Sequence, residues 1–275
     1  MATPPADPVY TLGSNPAERD RLRRQSADLL PHAVALLDHV DLQPGGSAID
    51  LGCGPSGALE LLSERVGPSG RVMGLDFNSI HVAIAREFAQ DRGLANVEIV
   101  EGDARRTGLP PSFFDLVHAR LLLVTIPDPS EVVAEMVRLV RPGGWVTGEE
   151  ADFITLMCHP PHPAWDRLSE VLLAVWQQDG ADPYLGRRLP DLFRGAGLVD
   201  VGVEARADVY PVGHSRRTIH ADLVQSIRPK ILDRGLLDEA ELNELDRATR
   251  EHLSDPRTLV VPHLYFLSWG RKSAE

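Results

Sequence analysis

A glycine-rich turn with an acid just ahead of it, Ala48-Ile-Asp-Leu-Gly-Cys-Gly-Pro-Ser-Gly57, constrains this chain more than any other stretch. Gly52, Gly54 and Gly57 follow the G-x-G-x-x-G spacing of a strand-to-helix turn, where glycine permits a tight backbone and lets a ligand come close. Taken alone, that spacing is a weak signal. A pyrophosphate at a helix N-terminus wants positive potential and free amides, whereas Asp50 places a carboxylate within a few residues of the turn. A cationic ligand suits this turn better than a polyphosphate.

The next elements add an acceptor for a nucleoside. Residues 71–76, Arg-Val-Met-Gly-Leu-Asp, read as a second strand ending in Asp76, and Asn78-Ser79 read as N-cap residues of a helix to about Gly93. Asp76 can take both hydroxyls of a ribose. S-adenosylmethionine fits this combination, having a sulfonium, an ammonium and a ribose but no phosphate. A nicotinamide site would place an acid at similar spacing, so Asp76 does not separate the two.

The separation comes downstream. Residues 96–104 read as a third strand ending in Gly102-Asp103-Ala104, with Asp103 able to accept from an adenine amino group. Phe114-Asp-Leu-Val-His-Ala-Arg120 reads as a fourth strand, followed by a helix over about 129–141. Arg141-Pro-Gly-Gly-Trp145 stops that helix and opens a fifth strand over 145–150. In this order the five motifs resemble the core of the class I S-adenosylmethionine-dependent methyltransferases of small-molecule type, strongly over residues 47–150 and more loosely beyond.

That resemblance implies an α/β fold with a doubly wound, mostly parallel seven-stranded sheet, N-terminal helices and a helical insertion between the last two strands. It also implies S-adenosylmethionine contacts at Asp50, Gly52, Cys53, Gly54, Asp76, Phe77, Asp103, Ala104, Ala119 and Arg120. An N-terminal segment covering the cofactor makes Tyr10 and Gln25 candidate contacts to its amino-acid end. One departure matters: where many relatives carry a histidine after the fourth strand, this chain has Val124-Thr125-Ile126, so no base carries over.

Three segments frame this core: an N-terminal helical lid over 1–44 with a break at Pro31, the Rossmann-like domain over 45–275, and an insertion over 211–257. The insertion reads as helices at 216–234 and 238–253 hinged at Gly235. A net charge of −12 argues against a nucleic-acid substrate, which draws affinity from neutralised phosphates. Two cysteines are too few for a disulfide framework or a zinc site, and no metal is expected. With no long apolar run and no signal-like start, a cytoplasmic protein without membrane contact is expected, as a possible homo-oligomer.

The expected activity is methyl transfer to a small-molecule acceptor, a secondary metabolite or lipid-like compound, chiefly by positioning and water exclusion. Base candidates are Glu150, which closes the fifth strand with Glu149 and Asp152, and the loop residues His162 and His214. The arginines at 216 and 217, and those at 19, 21, 23 and 24, can hold a carboxylate or diphosphate, although such runs are more often solvated faces. Two alternatives stand beside this reading: a protein of the same fold catalysing a non-methylating step such as cyclisation, and a nicotinamide-dependent oxidoreductase.

Overall fold

Short apolar runs separated by amphipathic helices set the architecture, seen in a computed structural model that describes residues 16–274. In chain order the elements are α1 (Pro16–Asp28), α2 (Leu30–Leu37), β1 (Ser47–Leu51), α3 (Leu59–Val66), β2 (Arg71–Asp76), α4 (Ser79–Asp91), β3 (Val97–Glu101), β4 (Phe114–Arg120), α5 (Pro129–Leu139) and β5 (Val140–Asp152). Then follow β6 (Met157–His159), α6 (Pro163–Gln178), α7 (Leu189–Gly195), β7 (Val199–Ala207), α8 (Ile219–Ser226), α9 (Arg228–Asp233), α10 (Glu239–Ser254), β8 (Leu259–Val261) and β9 (Leu264–Arg271).

Seven strands form one sheet in the order β3-β2-β1-β4-β5-β9-β7. The first five run parallel, and β9 enters antiparallel between β5 and β7. Strand order reverses between β1 and β4, so the connections leave on opposite faces and a crevice opens at the carboxyl ends of those strands. Both faces of the sheet are covered, which is why the central strands are apolar on both sides. Ala48 and Leu116 pack with Leu59, Leu62 and Val82 on one face; Ile49 and Val117 pack with Met136, Leu189 and Phe193 on the other. A third cluster, built on Leu172, Trp176, Val224, Leu242 and Tyr265, joins α6 to the helices that follow β7.

The boundaries depart from expectation where proline intervenes. The helix expected over 216–234 divides into α8 and α9, with Pro229 in the first turn of α9, where its missing N–H costs nothing. The sequence reads as a single last strand over 259–270, but it splits around Pro262: β8 pairs with β6 in a separate two-stranded ribbon, and only β9 joins the main sheet. Among the described residues no helix is long and apolar enough to cross a membrane.

His32 ties α2 to the sheet. Its Nδ1 lies 3.1 Å from Glu149 Oε1 on β5, and its Nε2 lies 2.8 Å from Asp208 Oδ2 just past β7. Burial works against the charged ring, but hydrogen bonds to Asp208 and Glu149 outweigh it and raise the pKa to about 9. Because the folded value exceeds the ordinary one, this stabilisation is complete below about pH 6.5 and is lost as pH rises towards 9. The melting temperature is expected to fall across that window. In His32→Ala part of the fall should vanish, and an unchanged slope would place the titration elsewhere.

Candidate active site

The glycine turn is bracketed by two carboxylates. Asp50, at the penultimate position of β1, is fully buried and accepts the Ala58 amide at 2.7 Å. The backbone folds around it so closely that a Cβ on Gly57, at φ +48, would strike Asp50 Oδ2 and the Cys53 carbonyl. Gly57→Ala is therefore expected to distort the turn, weakening S-adenosylhomocysteine binding as well as lowering the melting temperature. Normal binding by Gly57→Ala would show that the turn can relax. Burial pushes the Asp50 carboxyl up to about 6, against the Ala58 amide and the charge of Arg120.

Asp76, at the end of β2, takes the Gly54 amide on Oδ2 at 2.8 Å and the Asn78 amide on Oδ1 at 2.9 Å. The turn is further tied to β2 by the Gly52 and Cys53 amides, which both donate to the Leu75 carbonyl at 2.7 and 3.1 Å. Asn78 in turn caps α4 through the Ile80 and His81 amides. Opposite, Arg120 donates to the Gly57 carbonyl at 2.9 Å and to Ser26 Oγ of α1 at 3.0 Å, drawing the N-terminal helix over the turn. Asp103 is gripped by the Arg105 guanidinium, whose hydrogen bonds hold its carboxyl below the usual range.

These groups surround a cavity of about 510 Å³ at the carboxyl ends of β1, β2 and β4. Gln25, Asp50, Gly52, Cys53, Gly54, Asp76, Phe77, Asp103, Ala104 and Arg120 all line it. A Cβ on Gly54, at φ +56, would meet nothing within 4 Å, so the turn presents open backbone beside the Asp76 carboxylate. That open cradle, with the Asp50 and Asp76 carboxylates beside it and the adjacent Arg120 already donating to Gly57 and Ser26, fits a cationic nucleoside better than a phosphate. The far wall is apolar, made by Leu22, Leu121, Leu122, Ile126 and Pro127.

Ala119 does not reach the cavity: it is fully buried in the core between sheet and helices. Tyr10 lies outside the described residues. The three base candidates are placed elsewhere too. Glu150 points into the interior and accepts the amides of Leu122, Leu123 and Val124. His162 caps α6 by accepting the Ala164 amide at 3.3 Å and stacks on His252. His214 caps the turn before α8 by accepting the Arg216 amide at 3.1 Å and stacks on Tyr210. Glu149 and Asp152 serve His32 and Arg187 respectively. Buried acids on an interior strand must be paired or saturated with donors, which takes them out of acceptor chemistry.

Other lining residues escaped the sequence reading. His81, in the first turn of α4, has Nδ1 3.5 Å from Asp76 Oδ1; its spacing from the Asn78 cap is the signal that places it there. Leu121 adopts φ +52 just past β4, and Gln178, Asp179 and Arg234 close the mouth from α6 and the end of α9. Nothing local in the sequence marks the latter three.

The fold and this cavity define a Rossmann-like enzyme with a nucleoside cofactor at the switch point of its sheet. Residues 42–178 match the family described as methyltransferase domain. The chain is 33% identical to a demethylmenaquinone methyltransferase of Geobacillus sp. (strain WCH70) over 181 residues, 62% of this chain and 77% of that protein. It is 40% identical to nocamycin O-methyltransferase of Saccharothrix syringae over 114 residues, 42% of this chain and 41% of that one. Its fold is similar to Haemonchus contortus phosphoethanolamine N-methyltransferase 2, solved with S-adenosylhomocysteine and phosphomonomethylethanolamine, with a TM-score of 0.60 at 15% identity over 93% of this chain and 57% of that one. The chain belongs to the class I S-adenosylmethionine-dependent methyltransferases. Its cofactor is S-adenosylmethionine.

Proposed function

We propose that the chain methylates a small molecule, a secondary metabolite or lipid-like compound, within the cavity at the tips of β1, β2 and β4. The observation that carries this reading is the division of that cavity between an acid-bearing glycine turn and the apolar wall of Leu22, Leu121, Leu122, Ile126 and Pro127. When bound, the cofactor would supply a methyl carbon on a cationic sulfur, with S-adenosylhomocysteine as the leaving group that keeps the C–S electron pair. Asp76 would accept the ribose hydroxyls, Gly54 offers open backbone, and Asp50 contributes negative potential near the cationic end. Asp103 and Ala104 border the adenine side. Gln25 and Ser26 close the other side from α1, which acts as a lid held by Arg120 and excludes water from the reacting centre.

No side chain of the Glu150, His162 or His214 set faces the acceptor, so the chain works by positioning an acceptor that is already nucleophilic or loses its proton readily. The −12 charge and the apolar wall support a small acceptor over a nucleic acid. The test is turnover: the protein is incubated with S-adenosylmethionine and fractionated small-molecule extracts, and S-adenosylhomocysteine release is followed together with product mass. Release coupled to a methylated product supports the reading. Tight cofactor binding with no release on any fraction would favour a non-methylating reaction such as cyclisation.

A further inference from the structure

Behind the cofactor cavity lies a smaller lobe of about 40 Å³, sharing Leu22, Gln25, Leu121 and Thr125 with it. Phe153, Trp176 and Tyr265 form much of its wall, and Arg216 and His263 project into that aromatic shell. Arg216 is 2% exposed, with its guanidinium carbon 5.5 Å from the centre of the Tyr265 ring. One of its terminal nitrogens donates to Gln25 Oε1 at 3.1 Å, an oxygen also taken by Arg21 at 2.7 Å. Its Nε is buried with no partner, and so is Nε2 of His263, whose Nδ1 lies 3.3 Å from the Tyr265 hydroxyl.

The neighbouring Arg217 shows what a purely structural arginine does here: it saturates the carbonyls of Tyr210, Leu253, Asp255 and Thr258. Arg216 is less completely used: it meets Gln25 Oε1 and the Tyr210 hydroxyl, with Asp28 as a nearby charge, and its Nε is left over. Asp28 and Tyr210 offset part of the charge, but the side-on Nε of this guanidinium, buried beside a second one, still lacks an acceptor. A water needs about 10–15 Å³ of such space, so the lobe admits roughly three small heavy atoms, the size of a carboxylate and too little for a ring.

We propose that this lobe is the inner end of the acceptor site and that it binds the carboxylate of an organic-acid acceptor, docked on Arg216 with Arg21 and His263 beside it. The rest of the acceptor then runs past Leu121 and Thr125 towards the cofactor cavity, so the carboxylate fixes which atom meets the methyl group. This rests on the reading that the larger cavity holds cofactor and acceptor together.

The test uses the full chain saturated with S-adenosylhomocysteine and titrated with benzoate and with the near-isosteric neutral benzamide, by calorimetry or saturation-transfer NMR. Benzoate should bind about tenfold or more tightly than benzamide, as expected for a hydrogen-bonded charge pair. Arg216→Gln should erase that preference while keeping S-adenosylhomocysteine affinity within about twofold. Should Arg216→Gln not fold, Arg216→Lys, which keeps the charge but not the side-on donor pair, should still reduce the preference. Equal binding of the two probes, binding of neither, or a preference untouched by substitution at Arg216 overturns the carboxylate assignment and leaves the cofactor reading intact. Failure of S-adenosylhomocysteine itself to bind overturns the underlying reading instead.

Discussion

Asp76→Ala is expected to weaken S-adenosylhomocysteine binding by about a hundredfold or more, the largest effect of any single change at the cofactor cavity. Hydrogen bonds to a charged group contribute about 1.5–3 kcal/mol each, and two ribose hydroxyls sharing this carboxylate give about 3–6 kcal/mol. The same side chain also holds the Gly54 and Asn78 amides at 2.8 and 2.9 Å, so its removal loosens the glycine turn and the start of α4. Asp76→Asn keeps one acceptor oxygen but loses the charge, and should fall between the wild type and Asp76→Ala. Calorimetric titration of the three proteins, with melting temperatures to confirm folding, measures this directly. Affinity within threefold of wild type for a folded Asp76→Ala would place the ribose elsewhere.

Those features of the site that are local were legible in the sequence. The glycine turn, the acid at the end of β2 and the Asn78 cap each depend on residues within a few positions of one another, and the cavity brings them together. Strand tips told less about the acids of β5. Glu149, Glu150 and Asp152 end a strand that runs from Val140 to Asp152, and each carboxylate is used by a distant partner: His32, the Leu122–Val124 amides, or Arg187. Proximity to a strand end says which end of the sheet an acid occupies, not what its oxygens meet.

The two arginines after β7 carry the same lesson. As a charge pair they read as a solvated face, yet both are buried, because the carbonyls that hold Arg217 belong to a loop some forty residues on in the chain. The inner lobe gathers residues from α1, β5, α6, α8 and β9 and from the loops beside them, and no periodicity or motif links such distant positions. The ribbon of β6 and β8 was hidden for a related reason: its partners are a hundred residues apart, and only the break at Pro262 hints that the last strand is two.

Glu150→Ala tests what that misread acid does. Its Oε1 accepts the Leu122 and Leu123 amides at 3.1 and 2.9 Å and its Oε2 the Val124 amide at 3.1 Å, and the carboxylate itself is fully buried. Burial pushes the carboxyl up to about 8, against those three amides, so little of its role depends on full ionisation at neutral pH. Truncation strands three donors in the interior at about 1–3 kcal/mol each, partly relieved by entering water, for a loss of about 3–6 kcal/mol. In a chain of this size that lowers the melting temperature by roughly 10 °C or more. The turn it supports carries Leu121, Leu122 and Thr125 into the cavity, so the acceptor KM should rise as well. Glu150→Gln separates scaffold from base: its Oε1 can still take two amides and only the third meets an amino group, so the protein should melt between the other two forms with kcat largely kept. A stable Glu150→Gln protein without turnover would instead return the carboxylate to the chemistry, and the buried position of its oxygens is the reason to expect the opposite.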